Sequence, residues 1–356
     1  YADQLAGLLA RNFGTSDFYS RHLKGLGVEA IDLIANSTEL QLQWAAEAEL
    51  ARWRCGLPVP SQAFRLPLVG PLIAHLSLHL RILQQQITRA RPDVLYVQDM
   101  HFVPPTMLRA LRPHVRMIVG QIASPLPPDP FVAPYDLILT SFPHFVDRFR
   151  KKGIASEYFR IGFDPIVLDD LGTVPRTRAC TFVGGISRAH RGRTEFLDRL
   201  ARAVDIEFFG YGADTLEADS PIRERHRGDA WSLDMYRTLA ESRITINVHI
   251  DVAENYANNM RLFEATGCGA LLVTDQKDNL SELFVPDREV VAYRDVDEAI
   301  EKIRYFEAHP AEAAQIARAG QARTLREHTY AARMAELVDI LERNLRRTSR
   351  TLAGAR

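Results

Sequence analysis

A glutamate stands inside the apolar stretch NNMRLFEATGCGALLVTD, residues 258–275. The stretch predicts a short helix that ends at a glycine and is followed directly by an apolar strand. Asn258 or Asn259 can cap this helix, and the N–H groups of its first turn then favour an anion such as a phosphate. Glu264 lies one turn further on, where its carboxylate can accept hydrogen bonds from a pair of hydroxyls such as those of a ribose. The alternative is structural, because Arg261 and Glu264 are spaced to form an ion pair on one helix face.

Two glycines followed by arginines form a second candidate site, in the stretch CTFVGGISRAHRGR, residues 180–193. An apolar strand ends at Gly184 and Gly185, where the absence of a Cβ lets a ligand approach the backbone. Guanidinium groups bind phosphate oxygens well, and the arginines that follow are Arg188, Arg191 and Arg193. This order of residues indicates a clamp for a diphosphate. A tight turn before a solvated, basic helix start accounts for the same residues without a ligand.

Polar residues in loops complete the set of candidates. Asp99 and His101 follow an apolar strand, and His101 can act on a substrate hydroxyl or simply bond to Asp99. His249 lies in a polar loop after another strand, and Asp17 stands where a helix N-cap would account for it. These stretches contain no HExxH, DxD-type, GxSxG or Cys/His nucleophile pattern, and we therefore predict no metal site.

The composition is that of an ordinary globular protein. Charged residues make up 25% of the 356 residues and the formal net charge is -1, which argues against nucleic acid as a partner. The cysteines Cys55, Cys180 and Cys268 are far apart and lack metal-ligand spacing, and so we expect a reducing, cytoplasmic environment. No apolar run approaches the roughly 18 residues that a membrane span needs. A peripheral membrane contact through surface helices stays open.

Strands and helices alternate from residue 90 onward, which predicts βαβ units and parallel sheets. The predicted strands are apolar throughout, as expected where helices cover both faces of a sheet. They are the stretches DVLYVQD, VRMIVGQIAS, DLILTSF, ACTFVGG, IEFFGYG, ITINVHI and GALLVTD. Residues 160–179 carry prolines, glycines and charges without a period, which is typical of a linker. We therefore predict an α/β protein with domains at residues 1–164 and 165–330 and a helical segment at residues 331–356.

Both ends of the chain are predicted to be helical. After residue 275, three stretches carry apolar residues at three- and four-residue steps, and one of them starts at Pro310. Tyr1 opens directly into the helical stretch YADQLAGLLARNF, whereas an α/β domain usually begins with a strand. We expect either that the first strand precedes Tyr1 in a longer, multidomain chain or that the first sheet lacks a strand.

The sequence resembles the CgeB-like glycosyltransferases, the spore-maturation-protein type within the GT-B superfamily. The stretches that carry the resemblance span residues 178–340: CTFVGG, WSLDMYRTLAESRITINVH, NNMRLFEATGCGALLVTD, SELFVPDREVVAY and REHTYAARMAELV. In the first half, DLILTSFPHFVDRFRKKGI and FRIGFDP are similar to the end of a GT-B acceptor domain. The resemblance implies two Rossmann-like domains whose parallel sheets face a central cleft, with the last helix crossing back to the N-terminal domain.

The function that the resemblance implies is transfer of a hexosyl or deoxyhexosyl group from a nucleotide-diphosphate-sugar donor, as in polysaccharide biosynthesis. The acceptor would be a hydroxyl of a glycan, a lipid-linked saccharide or a protein. No cofactor is implied besides the donor, which is a substrate. The reaction would be metal-independent and would retain the configuration at the anomeric carbon.

The resemblance also implies roles for the candidate residues. Glu264 matches the glutamate that binds the ribose hydroxyls, and His101 matches the N-domain histidine that reaches the donor sugar. Arg188 and Arg191 match the catalytic basic residues that stabilise the leaving diphosphate. The donor-binding positions are Gly184, Gly185, Asn258, Asn259 and Arg261. Loops at residues 121–134 and 249–259, which include Ser124 and His249, are expected to choose the sugar, the base and the acceptor, with Asp17 and Asp99 as further substrate contacts.

One position departs from the pattern of the retaining enzymes. These commonly carry a second glutamate before the ribose-binding one, with seven residues between the two, and here that position is Tyr256. The contacts to the donor sugar and the stereochemical outcome therefore stay open. Two other functions fit the same fold: an epimerase of sugar nucleotides, and a nucleotide-sugar-binding or assembly protein without activity.

Overall fold

The computed structural model describes residues 1–50, 56–57, 76–186 and 191–354, without the side chains of Arg191 and residues 348–354. The chain divides into two compact units. The first comprises residues 1–10, 23–159 and 335–356, and the second comprises residues 11–22 and 160–334. The sequence analysis placed its boundaries after residues 164 and 330, and it did not anticipate that residues 11–22 cluster with the second unit.

The first unit contains a parallel sheet of four strands in the order β1-β2-β3-β4. The strands are β1 (Val94–Val97), β2 (Met117–Gln121), β3 (Leu137–Thr140) and β4 (Ser156–Tyr158). All four residues of β3 are buried, because helices cover both faces of the sheet. β4 was not predicted, since its three residues, Ser-Glu-Tyr, carry no apolar run.

The helices up to β4 vary in length and pack around this sheet or precede it. They are α1 (Ala2–Leu9), α2 (Phe18–Gly25), α3 (Thr38–Glu47), α4 (Leu78–Ala90), α5 (Pro105–Leu111), α6 (Asp129–Val132) and α7 (Pro143–Lys151). α7 begins at a proline, which suits the first helical position because the N–H there needs no partner within the helix. Its last turn carries three basic residues, which suit the negative end of the helix dipole. Residues 1–50 form helices and loops and no strand, and the helix predicted at the N-terminus is α1.

The second unit contains a parallel sheet of five strands in the order β6-β5-β7-β8-β9. The strands are β5 (Arg178–Val183), β6 (Glu207–Phe209), β7 (Ser242–Asn247), β8 (Leu271–Asp275) and β9 (Val291–Tyr293). Apolar side chains of β5, β7 and β8 form one core with those of the helices on either face. All seven predicted strands are present across the two sheets, and the prediction of parallel α/β sheets is confirmed.

The helices from residue 166 onward flank the second sheet and end the chain. They are α8 (Ile166–Leu171), α9 (Arg191–Ala203), α10 (Pro221–Glu224), α11 (Ser232–Glu241), α12 (Met260–Gly267), α13 (Leu280–Leu283), α14 (Val296–Ala308), α15 (Pro310–Glu327) and α16 (Tyr330–Gly354). α8 lies in the stretch predicted as a linker, where Pro165 stands just before its first residue. In the described part of the chain, no helix combines the length and the apolar content needed to cross a bilayer.

Residues 11–22 are fixed to the second unit by polar contacts. The carboxylate of Asp164 is 2% exposed and lies 3.2 Å from the guanidinium of Arg21 and 2.8 Å from Nε2 of His22. The amide of Asn12 donates to Asp170 at 2.6 Å. These contacts explain why a segment far away in sequence clusters with residues 160–334.

Candidate functional site

The N-terminus of α12 is built as the sequence analysis predicted for Asn259. Asn259 is the N-cap, and its Oδ1 accepts from the N–H of Leu262 at 3.3 Å. Its Nδ2 donates to Asn247 at the end of β7 at 2.6 Å, which fixes the cap to the carboxyl edge of the sheet. The other N–H groups of the first turn have no acceptor within the helix and carry the positive end of its dipole. This end of α12 therefore favours an anion.

Glu264 is buried one turn further along α12, with its side chain 5% exposed. Oε2 lies 2.8 Å from Nη1 of Arg261, which is the ion pair that the structural alternative predicts. Burial raises the pKa of Glu264, and the charge of Arg261 opposes this rise. Nε of Arg261 donates to the carbonyl of Val183 at 3.0 Å, while Nη1 has no aligned hydrogen bond to a described residue. The arginine thus joins α12 to the end of β5 and holds the carboxylate in place.

The paired glycines form a turn that packs closely against the next strand. The N–H of Gly184 donates to the carbonyl of Phe209 at 2.9 Å. A Cβ on Gly185 would lie 2.6 Å from the ring of Tyr211, and a Cβ on Gly210 would lie 2.3 Å from the carbonyl oxygen of Gly184. The backbone of Gly184 therefore requires a glycine at position 210, while a side chain at position 185 would displace the ring of Tyr211.

The basic residues after this turn are only partly described. Arg188 and the side chain of Arg191 lie outside the described residues, so the structure gives no position for these two predicted contacts. Arg193 donates through Nη2 to the carbonyl of Gly185, and its guanidinium lies 5.9 Å from the centre of the Phe182 ring. Burial lowers the pKa of Arg193, although Tyr211 and Asp251 oppose the shift. A partly desolvated guanidinium thus lies at the glycine turn.

His249 and the peptide of Asn258 bond to groups inside the second unit. Nδ1 of His249 lies 2.6 Å from Oδ1 of Asp275, and its Nε2 accepts from the N–H of Asn258 at 3.3 Å. These partners fix the tautomer with the proton on Nδ1. Burial acts to raise the pKa of Asp275, but the hydrogen bond from His249 and the charge of Lys277 outweigh it and lower the pKa. Both ring nitrogens and the N–H of Asn258 are engaged without a substrate.

Three candidates of the first unit lie together at the carboxyl ends of β1 and β2. Nε2 of His101 lies 3.0 Å from Oγ of Ser124, and the N–H of His101 donates to Asp99 at 2.8 Å. Nearby, burial raises the pKa of Tyr135, with a smaller contribution from Asp99. The imidazole is half-buried and the Asp99 side chain is exposed. The loops after two neighbouring strands therefore bring a histidine and a hydroxyl into contact where open α/β sheets bind ligands.

Asp17 belongs to the second unit and precedes α2. Its carboxylate lies 3.3 Å from the guanidinium of Arg21, four residues on, and its carbonyl accepts from the N–H of Arg21 at 2.8 Å. The structure therefore gives Asp17 a local role at the start of a helix.

The sequence analysis missed several residues that surround the candidate site. Tyr236 on α11 is buried, which raises its pKa, and Glu264 adds to the shift, so the two groups are close. Tyr211 and Trp231 stack with their ring centres 5.6 Å apart. A signal existed for both: Tyr211 lies in the GYG that ends a strand, and Trp231 directly precedes a helix. Among the described residues, no group of three or more His, Cys, Asp or Glu side chains is arranged to hold a metal ion.

Comparison with known sequences covers much of the second unit, including α12 with Glu264. A sequence model of the family described as "Glycosyl transferase-like" matches residues 190–339, which include α9, α11 and α12. A search of the curated proteins found no match.

The solved structures similar to this chain include a glycosyltransferase and a synthase of a sugar phosphate. A glycosyltransferase from Rickettsia africae has a TM-score of 0.58 at 13% identity, over 92% of this chain and 93% of that chain. Anabaena Alr3699/HepE in complex with UDP-glucose has a TM-score of 0.57 at 14% identity, over 76% and 83%. Sucrose-phosphate synthase from Thermosynechococcus elongatus has a TM-score of 0.56 at 11% identity, over 75% and 77%. At these identities the likeness establishes the fold, and the chain has the predicted α/β GT-B fold with two parallel sheets.

Proposed function

We propose that the protein is a glycosyltransferase that moves a sugar from a nucleotide-diphosphate-sugar donor to a hydroxyl acceptor, with the donor held by the second unit. The observation that carries the proposal is Glu264, a buried carboxylate held by Arg261 one turn behind a capped helix N-terminus. The match to "Glycosyl transferase-like" sequences over residues 190–339 and the similarity to a structure solved with UDP-glucose support it.

In this proposal each group of the second unit meets one part of the donor. The carboxylate of Glu264 accepts hydrogen bonds from the ribose hydroxyls, and Arg261 orients it. The diphosphate lies at the first turn of α12 and the glycine turn, with Arg193 and the predicted Arg188 and Arg191 supplying positive charge. Gly184 and Gly185 place no Cβ between the diphosphate and the end of β5, and Asn259 holds the helix end in place.

We assign His249 and Asn258 to positioning instead of substrate contact. Their mutual hydrogen bond and the buried contact to Asp275 fix the loop that leads into α12. In the first unit, we propose that His101 and Ser124 bond a hydroxyl of the acceptor, with Asp99 holding the loop.

The chemistry proposed is displacement at the anomeric carbon, in which the bond to the diphosphate oxygen breaks and the acceptor oxygen bonds to the same face of the sugar. The proton of the acceptor hydroxyl passes to the leaving diphosphate oxygen. Negative charge grows on the leaving diphosphate, and guanidinium groups and a helix N-terminus stabilise this transition state more than the ground state. We propose that this suffices without a metal, that configuration is retained and that the enzyme is of the CgeB-like type, acting in the cytoplasm on a hexosyl or deoxyhexosyl donor and a saccharide-bearing acceptor.

The test measures binding of nucleoside diphosphates through the increase in stability that they cause in thermal unfolding. One of UDP, GDP, ADP or dTDP is expected to stabilise the protein, by about 2.7 kcal/mol at a concentration of 100 Kd. Glu264→Asp keeps the charge beside Arg261 but withdraws the carboxylate, and should weaken binding of that nucleotide at least about 10-fold, as expected when hydrogen bonds to a charged group are lost.

The matched control is Glu298→Asp, a partly buried glutamate of α14 paired with Arg294, and its nucleotide affinity should equal that of the wild type. Equal affinity of Glu264→Asp and the wild type would overturn the ribose assignment. Release of nucleoside diphosphate from a sugar nucleotide only when an acceptor is added distinguishes transfer from epimerisation.

A further inference from the structure

Three large aromatic rings of the second unit are open to solvent, and Trp231 contacts the other two, Phe13 and Tyr211. Phe13 is 59% exposed, Tyr211 is 51% exposed and Trp231 is 44% exposed. Tyr211 and Trp231 are nearly parallel, with an angle of 7° between their planes and 5.6 Å between their centres. Phe13 meets Trp231 at 5.8 Å with a tilt of 55°. We call these residues the aromatic cluster, and a contiguous apolar surface of this kind marks a binding site in a soluble protein.

The cluster is held in place by its surroundings. Nε1 of Trp231 donates to Asp229 at 3.3 Å. The carbonyl of Tyr211 accepts from the N–H of Ile186 at 2.8 Å, so that its ring lies over Gly185.

Phe13 stands in a loop in which three residues adopt left-handed backbone conformations: Asn12, Gly14 and Ser16, with φ of 53°, 61° and 42°. Such conformations are costly for Asn12 and Ser16 and persist only where the surroundings enforce them. The bond from Asn12 to Asp170 fixes this loop to the second unit. The rings are therefore presented in a preset arrangement.

The cluster borders both halves of the proposed donor site. On one side, Tyr211 contacts Gly185, whose carbonyl accepts from Arg193. On the other side, Trp231 is the N-cap residue of α11, and Tyr236 one turn later on that helix is close to Glu264. A ligand that spans the glycine turn and the Glu264 carboxylate would therefore have the aromatic cluster beside it.

We propose that the aromatic cluster is the surface on which the nucleobase of the donor stacks. This inference rests on the proposed function, because it takes the ribose and the diphosphate to lie at Glu264 and the glycine turn. The base is joined to that ribose, so it must lie beside the ribose site. A nucleobase has two flat π faces, and stacking on aromatic side chains holds it without hydrogen bonds to its edge. The rings thus supply affinity for the base, and Trp231, which has the largest flat surface of the three and is 44% exposed, supplies most of it.

The experiment measures nucleotide affinity and fluorescence on the full chain. Trp231→Ala is expected to bind the stabilising nucleoside diphosphate roughly 5- to 100-fold more weakly, the range that loss of base stacking produces. Trp231→Phe keeps a flat ring and should lose less than half of that effect on a logarithmic scale. Nucleotide should quench the intrinsic fluorescence of the wild type, and this quenching should disappear in Trp231→Phe.

The matched control is Tyr305→Ala, which removes another exposed aromatic ring, 46% exposed, from α14 of the same unit. It should bind nucleotide as the wild type does. If Trp231→Ala also binds as the wild type does while Glu264→Asp binds weakly, the nucleobase assignment is wrong and the proposed function stands. If Trp231→Ala instead raises the KM of a saccharide acceptor at unchanged nucleotide affinity, the cluster binds the acceptor and the inference is overturned. If no nucleotide binds the wild type, both proposals fail.

Discussion

His101 in the first unit and His249 in the second both follow a parallel strand, and the two units use them differently. His101 is half-buried in the loop after β1, with Nε2 3.0 Å from the Ser124 hydroxyl. The side chain of His249 is 1% exposed, and both of its nitrogens bond inside the unit. His328, also in the second unit, is 1% exposed and similarly engaged. A half-buried imidazole can exchange a hydroxyl partner for a ligand, whereas a buried, doubly bonded one fixes a loop.

The largest predicted effect is the pH dependence of folding stability that the buried His328 of the second unit causes. Its Nε2 donates to the carbonyl of Leu283 at 2.8 Å, and its Nδ1 accepts from Arg333 at 3.2 Å. Burial lowers the pKa of His328 from 6.5 to about 4, with repulsion from Arg333 adding to the shift. The unfolded chain then binds the proton more readily, so folding stability is lost as pH falls from 6.5 towards 4. The full loss would be about 3 kcal/mol.

Urea unfolding of the wild type and His328→Gln between pH 7 and pH 4 measures this effect. Glutamine cannot titrate and keeps a donor for Leu283, so the variant should lose less stability over this range than the wild type does. The carboxylates titrate equally in both proteins, and the difference between the two curves isolates His328. Parallel curves would show that protonation of His328 does not destabilise the folded protein.

A smaller loss of stability is expected from His249→Ala. The substitution removes the hydrogen bond from the imidazole to the Asp275 carboxylate, which keeps its ion pair with Lys277. It also removes the imidazole nitrogen that accepts from the N–H of Asn258. Each unsatisfied buried group costs about 1 to 3 kcal/mol, and we expect a total near 2 kcal/mol at pH 7. Calorimetry would detect it, and nucleotide affinity should fall as well because the loop leads into α12. If the variant were as stable as the wild type, His249 would not be needed to fix its loop and would resemble His101 instead.

The hydrogen-bond partners that distinguish His249 from His101 could not be predicted from the sequence, because they depend on which strands are neighbours. His249 meets Asp275 because β7 lies beside β8, with Asn247 opposite Thr274. In the same way Gly185 meets Tyr211 because β5 pairs with β6. Apolar runs predict that such strands exist and are parallel, but not which strands are neighbours or in what register. The site residues could be proposed individually, while their partners depended on strand order.

Features encoded within a single helix or strand were easier to predict than contacts between strands. Glu264 was recognisable as exceptional because helix periodicity placed a carboxylate among apolar residues, and Arg261 was recognisable as its partner from the spacing. Asn259 was recognisable as a cap by its type and position. β4 and β9 have three residues each and were missed, whereas β6, equally short, was predicted from the apolar stretch IEFFGYG around it.

The smallest effect on stability is expected from His101→Ala, which should change the free energy of unfolding by less than about 0.5 kcal/mol, as for other loop substitutions away from a core. Its effect should appear in catalysis instead, because displacing a positioned acceptor hydroxyl by about 1 Å can cost roughly 100-fold in rate. Transfer assays and calorimetry on the same protein separate the two readouts. Ser124→Ala keeps the imidazole but removes its hydroxyl partner, so it should lower turnover less than His101→Ala does. Full turnover in His101→Ala would make this contact a loop contact only, and a loss of stability as large as that of His249→Ala would remove the difference between the two units.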